Sequence, residues 1–312
     1  DIITYFPFDI PYCVDSFLMK IKPTVVLIAE TELWPVFSFA CNSKGIKLYC
    51  INGRMSDSTY KLYKFLGYFF KHVLNKYTKI LTQSEIDMNK LVSIGAPIER
   101  TSVMKNLKFD IKKVDEKIDI GQDGYRVIIA GSTHKGEDEI VLDIFKNKLQ
   151  KYSDIKLLLV PRHTTRLPQI IQILDTLGLN YGFRSKGDTF KDKDVIVLDT
   201  MGELSKMYAI CHFAFIGGSF NKTGGHNPLE ATVYSKPTIT GPSIHNFRDI
   251  YWLLSRSKAG KIVKTPLELS DYMDKLLSDN EFYKQACEDC STVFNDQQGA
   301  LDVVIKELKE IL

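Results

Sequence analysis

The chain has 312 residues, 44% hydrophobic and 25% charged, and its 41 Lys and Arg against 38 Asp and Glu give a formal net charge of +3. These proportions exclude a disordered, collagenous or disulfide-scaffold polypeptide, and so small a charge does not by itself indicate a nucleic-acid partner. The length predicts two domains, the six cysteines lie mostly in apolar runs that suit reduced thiols, and no apolar run is long enough to span a bilayer.

In chain order, DIITYFPFDIPYCVDSF at 1–17 shows neither an initiator methionine nor a first strand, so a preceding segment is expected. Short apolar runs at 24–30 (TVVLIAE), 46–52 (IKLYCIN) and 79–83 (KILTQ) read as strands, each followed by an amphipathic helical pattern. The stretch 60–76 (YKLYKFLGYFFKHVLNK) combines six aromatics with four lysines, the composition of an interfacial helix on its exposed side, although core packing explains its inner residues. Residues 110–124 (DIKKVDEKIDIGQDG) are polar and suit a linker. A second series of strands follows at 126–131, 156–160, 195–198, 213–217, 237–240 and 260–263, and helical patterns fill 267–312. This alternation predicts an α/β protein of two Rossmann-like doubly wound domains facing a cleft. The expected boundaries are 1–112 for a first domain lacking its start, 113–124 for the linker and 125–312 for the second, with the last helix packing on the first.

Several stretches carry chemistry. GSTHKGE (131–137) offers backbone amides and the hydroxyls of Ser132 and Thr133 to an anion, or is simply a turn in which one of them caps a helix. It lacks the patterns of dinucleotide and triphosphate loops. VPRH ends a strand with Pro161, Arg162 and His163; the guanidinium fork of Arg162 suits phosphate, a surface ion pair being the plainer reading. DTMGEL presents Met201, Gly202 and Glu203 at a helix start that a Thr200-to-Glu203 capping box would also explain. IGGSFNKTGGHNPLEA (216–231) has glycine pairs that let a ligand approach backbone, then Gly225, His226 and Asn227 to Glu230. A carboxylate at Glu230, one turn after Asn227, suits ribose hydroxyls; Asn227 as a cap with Pro228 at the first helical position competes. Glu30 and Glu32 end a strand expected to be buried, and Arg54 and Ser56 follow the next. Asp192 and Asp194 read as a solvated turn rather than a metal site, and Cys287 and Cys290 as thiols on a helix face.

ETELWP (30–35), NGRMSDS (52–58), NLKFD (106–110), GSTHKGE, VPRH, DTMGEL and GGHNPLEA occur in an order and spacing that resemble the bacterial 3-deoxy-D-manno-octulosonic acid (Kdo) transferases of lipopolysaccharide synthesis. The resemblance spans the whole chain. It implies a GT-B glycosyltransferase fold, an inverting reaction, CMP-Kdo as donor, a lipid A precursor as acceptor, no metal or other cofactor, no nucleic acid, and a place at the cytoplasmic face of the inner membrane. It also implies that Pro161, Arg162, Met201, Gly202, Glu203, Asn227, Pro228, Leu229 and Glu230 hold CMP. Ser132, Thr133, His163, Gly225 and His226 are further candidate donor contacts. Glu30 and Lys108 are implied to stabilise the transition state, with Glu32, Arg54 and Ser56 on the acceptor side. Two departures are expected to matter. Relatives carry glycine where this chain has Lys105, and the family's general base, a glutamate, lies with a hydrophobic anchor before residue 1. As it stands the chain is expected to bind donor without turning it over. A UDP-sugar transferase and a nucleotide-binding module are the alternative readings.

Overall fold

The computed structural model describes residues 2–116 and 118–311. The chain divides into two compact units, Asp1–Asp110 with Gln297–Leu312, and Ile111–Asp296.

The first unit runs α1 (Pro11–Ile21), β1 (Val25–Ala29), α2 (Pro35–Ser43), β2 (Lys47–Gly53), α3 (Asp57–Phe65), α4 (Gly67–Leu74), β3 (Lys79–Thr82), α5 (Glu85–Ser93) and β4 (Thr101–Val103). Prolines open α1 and α2, where the missing N–H costs nothing. Ser56 and Ser84 cap α3 and α5 by accepting the amides of Thr59 and Asp87. The strands pair in parallel in the order β1-β2-β3-β4. Val14, Leu18, Phe37, Leu48, Val73, Leu74, Tyr77 and Ile80 form the core around them, each large apolar side chain contributing about 1.5–3 kcal/mol on burial.

Two expectations change here. β1 is an edge of the described sheet; of its residues only Ile28 is buried and Leu27 stays 38% exposed. An apolar β-branched run reads the same at an edge as in a sheet's middle, so burial was not legible from composition. The 60–76 stretch is also divided, α3 ending at Phe65 and α4 beginning at Gly67. Its Phe70, Val73 and Leu74 are buried, whereas Leu62, Phe65, Leu66, Tyr68 and Phe69 are exposed.

In the second unit come β5 (Arg126–Thr133), α6 (Glu137–Leu149), β6 (Ile155–Pro161), α7 (Leu167–Leu177), β7 (Tyr181–Phe183), β8 (Val195–Val197), α8 (Leu204–Met207), β9 (Cys211–Ile216), α9 (Leu229–Thr232), β10 (Thr238–Thr240), α10 (Arg248–Ser255), β11 (Gly260–Ile262), α11 (Pro266–Ser278) and α12 (Asn280–Gln297). The sheet is parallel throughout, in the order β11-β10-β9-β5-β6-β8-β7. Alternate residues feed opposite faces. Ile128, Leu157, Leu159, Phe213 and Phe215 pack on one side, Val127, Ile129, Leu158, Ala214 and Ile216 on the other. A sheet covered on both faces explains why these strands read as unbroken apolar runs.

The polar stretch 113–124 does not hang free of this unit. Ile118 and Ile120 join its core, Ile120 accepts the Phe190 amide at 2.8 Å, and the Val114 amide donates to the Tyr234 hydroxyl at 2.8 Å. Two isoleucines among charges suffice to strap the segment down. Beyond α12, α13 (Ala300–Lys309) belongs to the first unit. Ala300 and Val304 pack with Leu81 and Met104, the Asp110 carboxylate accepts the amides of Gly299 and Leu301, and Lys79 pairs with Glu307 at 2.6 Å. Asp192 and Asp194 lie in a turn where Asp194 pairs with Lys156 at 2.9 Å. All six cysteines are free thiols, Cys290 buried on α12 and Cys287 half-buried.

Candidate functional site at the strand ends of the second unit

The chain leaves β5 toward β6 on one side and returns to β9 on the other, so the carboxyl ends of β5 and β9 are a topological switch point. Ser132 to His134 follow β5, Arg162 and His163 follow β6, residues 199–203 follow β8, and 217–230 follow β9. At Ser132 the backbone is left-handed, φ 55°, a strained choice for a residue with a Cβ.

Glu137 organises this edge. Its carboxylate is 1% exposed and accepts four backbone amides: Gly218 and His134 on Oε2 at 2.7 and 2.9 Å, Ser219 and Phe220 on Oε1 at 2.8 and 2.9 Å. A buried carboxylate with no ion-pair partner among the described residues is tolerable only because those donors replace water. It therefore staples the loop after β9 to the turn after β5. A second brace comes from α10 and the loop before it. Asn246 Nδ2 donates to the Thr223 carbonyl at 2.8 Å, and the buried Tyr251 hydroxyl donates to the His226 carbonyl at 2.6 Å.

The bare backbone of this loop is used by the protein itself. Gly218 has φ 70° and a Cβ there would lie 2.9 Å from the His226 ring; at Gly224, φ 100°, it would lie 2.4 Å from the ring of His245. Gly218 and Gly224 thus make room for imidazoles, Gly217 for the Ser132 backbone and Gly225 for Tyr251. His226 Nε2 lies 2.9 Å from His134 Nε2, the rings nearly coplanar at 11°, and His163 sits edge-on to His134 with centroids 5.7 Å apart. Burial lowers His226 to about 4, helped by the charges of His134 and Arg162, and lowers His134 against the pull of Glu137.

The other candidates divide by exposure. Thr133 is fully buried and its hydroxyl donates to Asp138 Oδ1 at 2.5 Å, so it faces the core instead of an anion. Asp138 in turn pairs with Arg166. Neither Ser132 nor Thr133 caps α6, whose first turn is preceded by Gly136 at φ 90°. Pro161 is buried as the last residue of β6, whereas Arg162 and His163 are exposed. Met201 is 87% exposed and Gly202 is left-handed at φ 79°. The Thr200 hydroxyl donates to Glu203 Oε1 at 2.5 Å, but no side chain caps α8, so the expected capping box does not form. Glu203 is committed to Thr200 and to Arg184 Nε at 3.3 Å, and the Thr200 bond first, then Arg184, holds its carboxyl below the ordinary range. Asn227 Oδ1 accepts the Leu229 amide at 3.1 Å in an Asx turn, but the residue before α9 is Pro228 and no side chain caps the helix, so Asn227 is not its cap and Pro228 not its first residue. Pro228 and Leu229 are buried, and Gly225 is buried with its amide on the Gly218 carbonyl. Burial raises the Glu230 carboxyl above its ordinary value, while the Arg162 guanidinium opposes that rise.

In the first unit, Glu30 stands just past β1 on left-handed backbone, φ 62°, with its side chain exposed. Glu32 does not share a strand face with it, because β1 has already ended; its Oε2 accepts Trp34 Nε1 at 3.2 Å. The Arg54 amide donates to Thr31 Oγ1 at 2.9 Å, and the Ser56 hydroxyl serves as the cap of α3. Lys108 lies in a 3-10 turn anchored by an amide chain: Leu107 N–H donates to Asn52 Oδ1, Asn106 Nδ2 to Gln83 Oε1, and Gln83 Nε2 to the Asn52 carbonyl. Lys105 adopts φ 72°, backbone that favours glycine, and its Nζ donates to the Gln298 carbonyl at 3.1 Å.

The family model described as 3-Deoxy-D-manno-octulosonic-acid transferase (kdotransferase) matches residues 1–111. The 3-deoxy-D-manno-octulosonic acid transferase of Haemophilus influenzae is 31% identical over 317 residues, covering 99% of this chain and 74% of that protein. The chain belongs to the Kdo transferase family. A bifunctional glycosyltransferase/methyltransferase of Fusobacterium nucleatum is 37% identical over 98% of this chain, which spans about half of it, 48%. The crystal structure of the C-terminal CMP-Kdo binding domain of WaaA from Acinetobacter baumannii matches 56% of this chain and 91% of its own at 30% identity and a TM-score of 0.53. A UDP-GlcNAc 2-epimerase from Neisseria meningitidis superposes over 96% of this chain and 79% of its own with a TM-score of 0.63 at 13% identity, a likeness of fold alone. The fold is thus the GT-B type. Within the Kdo transferase motifs, sequence reasoning gave no role to Glu137 or His134, although both stand in GSTHKGE; the signal was the same string, lacking only the knowledge that β9 ends beside it.

Proposed function

We propose that this chain supplies the donor and acceptor sites for transfer of Kdo from CMP-Kdo to a lipid A precursor, with inversion and without a metal ion. The acceptor hydroxyl oxygen attacks C2 of Kdo as the bond from C2 to the phosphate oxygen breaks, CMP takes the bonding electrons, and a base takes the hydroxyl proton. A single phosphate leaves, so hydrogen-bond donors suffice to meet its charge. Exposed Arg162 is one, and the backbone of the Met201 to Glu203 loop another. Glu203 itself is held by Thr200 and Arg184, which leaves that loop's main chain rather than its carboxylate to meet the nucleotide. Glu230 accepts ribose hydroxyls, with Pro161 and Pro228 beside it, Leu229 packed beneath them and Asn227 fixing the turn. In the first unit, Glu30 and Lys108 steady the transition state, and Glu32 and Arg54 serve the acceptor.

Membership of the family supports this reading, and the observation that carries it is Glu230, a partly buried carboxylate at the switch point acted on by Arg162. Titration calorimetry tests it. CMP should bind more tightly than UMP with chelator present, and Glu230→Ala should weaken CMP by about 1–3 kcal/mol through a lost charged hydrogen bond. Equal affinity for the two nucleotides would favour a UDP-sugar transferase, and unchanged CMP affinity in the variant would remove Glu230 from the site.

Among the described residues no helix is long and apolar enough to cross a membrane. The lipid acceptor is reached from the interface instead, through the exposed Leu62, Phe65, Leu66, Tyr68 and Phe69 of α3 and α4, flanked by exposed Lys61, Lys64 and Lys71.

A further inference from the structure

The two imidazoles at the switch point obey a proton rule set by geometry. With Nε2 2.9 Å from Nε2, a single proton lies between the rings. One ring carries it on Nε2 and leaves its own Nδ1 bare; the other accepts it and must carry its proton on Nδ1. The free couple is therefore neutral and has one vacant basic nitrogen. A proton added at that Nδ1 makes one imidazolium, keeps the shared hydrogen bond and turns both Nδ1 atoms into donors. A further proton would set two Nε2–H groups against each other, so uptake stops at one.

The surroundings are built to hold this pair and to attract anions. His226 is fixed by Gly218 beneath its ring and by Tyr251 on its carbonyl, and His134 by the bond from its amide to Glu137. The charged and titratable groups facing the couple are Glu137 of α6, Arg162 and His163 after β6, and Arg166 beyond them. Glu137, held by four amides, favours a charged couple, while burial and the cationic Arg162 oppose it, joined at His134 by Arg166, which pairs with Asp138. In the absence of an anion the net effect disfavours a charged couple. A phosphate ester reverses the balance.

We propose that His134 and His226 form a couple sharing one proton between their Nε2 atoms, and that the couple takes up one further proton when a phosphate ester docks at this switch point, linking donor binding to proton uptake. The inference rests on the donor-site reading above and adds the groups that recognise the phosphate. It makes binding tighten as pH falls, by at most tenfold per pH unit, the limit for one proton.

The test is calorimetric titration of the chain with cytidine 5′-methylphosphate, a singly charged ester that does not titrate near neutrality, in buffers of different ionisation enthalpy. The wild type should take up a fraction of a proton at pH 7. His134→Asn and His226→Asn should bind with no uptake, about tenfold more weakly at pH 6.5 and with a flat pH profile, whereas His163→Asn should keep the uptake. Cytidine, which lacks phosphate, should bind wild type and variants alike, showing that the variants are folded. Equal uptake in His226→Asn and wild type would overturn the couple, as would ester binding by the wild type without uptake. Binding of neither ester nor CMP would instead remove the donor site, and the couple's role with it. Nitrogen NMR of the free wild type gives an independent reading. One Nε2–H and one Nδ1–H tautomer are expected, and two Nε2–H tautomers would refute the arrangement.

Discussion

The two sheets carry their candidate residues in opposite ways. In the second unit β5, β6 and β9 are buried on both faces, and their ends are tied together by Glu137, Asn246 and Tyr251 through main-chain hydrogen bonds. In the first unit β1 is a half-covered edge, and Glu30 and Lys105 sit on left-handed backbone with exposed side chains. One sheet gains rigidity from satisfied buried polar groups; the other leaves strained, solvent-facing positions beside an apolar surface. Under the proposed function, the first design suits a nucleotide of fixed shape and the second a lipid acceptor of variable shape.

Four experiments probe this contrast. The largest effect is expected at Glu137. Glu137→Ala strips four amides of their acceptor in a buried site and should cost about 3 kcal/mol or more in urea unfolding, with CMP binding lost under conditions where the chain remains folded. A variant of near wild-type stability would mean that the loop after β9 holds its shape without the staple. Next, Phe65→Ser with Phe69→Ser should lower binding to anionic vesicles several-fold, since each aromatic contributes about 1.5–3 kcal/mol when buried in an apolar phase. CMP affinity should stay as it was, and unchanged vesicle binding would remove α3 and α4 from the interface.

Acid stability sharpens the comparison further. His212, stacked on Tyr283 at 3.7 Å, and His226 are both pushed down to about 4, in each case first by burial. A histidine with a depressed folded-state value contributes fully above its unfolded value near 6.5 and loses that contribution as pH falls toward 4. The melting temperature should therefore drop between pH 6.5 and 4, and His212→Gln should drop less over that window. Equal slopes would remove His212 as a source. The smallest effect is expected at Lys105, where glycine relieves left-handed strain but adds unfolded-state freedom and loses the bond to Gln298. Lys105→Gly should gain about 0.5 kcal/mol, read from the unfolding midpoint.

Much of the architecture was legible in advance. Nine strands lie within two residues of the expected runs, because parallel strands read as short β-branched or apolar runs, even at the half-covered edge β1, and the intervening helices keep their own period. β4 and β7 escaped notice because three residues, Thr101–Val103 and Tyr181–Phe183, are too few to show a period. The site was legible as motifs and less so as roles. Ser132 and Thr133 are adjacent hydroxyls in one string, yet only Thr133 faces Asp138 and the core. Glu203 looked like half of a capping box and is instead held between Thr200 and Arg184, the latter 19 residues away in the chain.

The sequence alone determined the alternation of strands and helices, the family, and which strings fall at strand ends, since these depend on local periodicity and short-range spacing. The tertiary structure decided what each side chain is free to do. Glu137 meets Gly218 across 81 positions and His134 meets His226 across 92. A hydrogen bond across such a span exists only once the sheet order has brought the ends of β5 and β9 side by side, and no local pattern encodes that order.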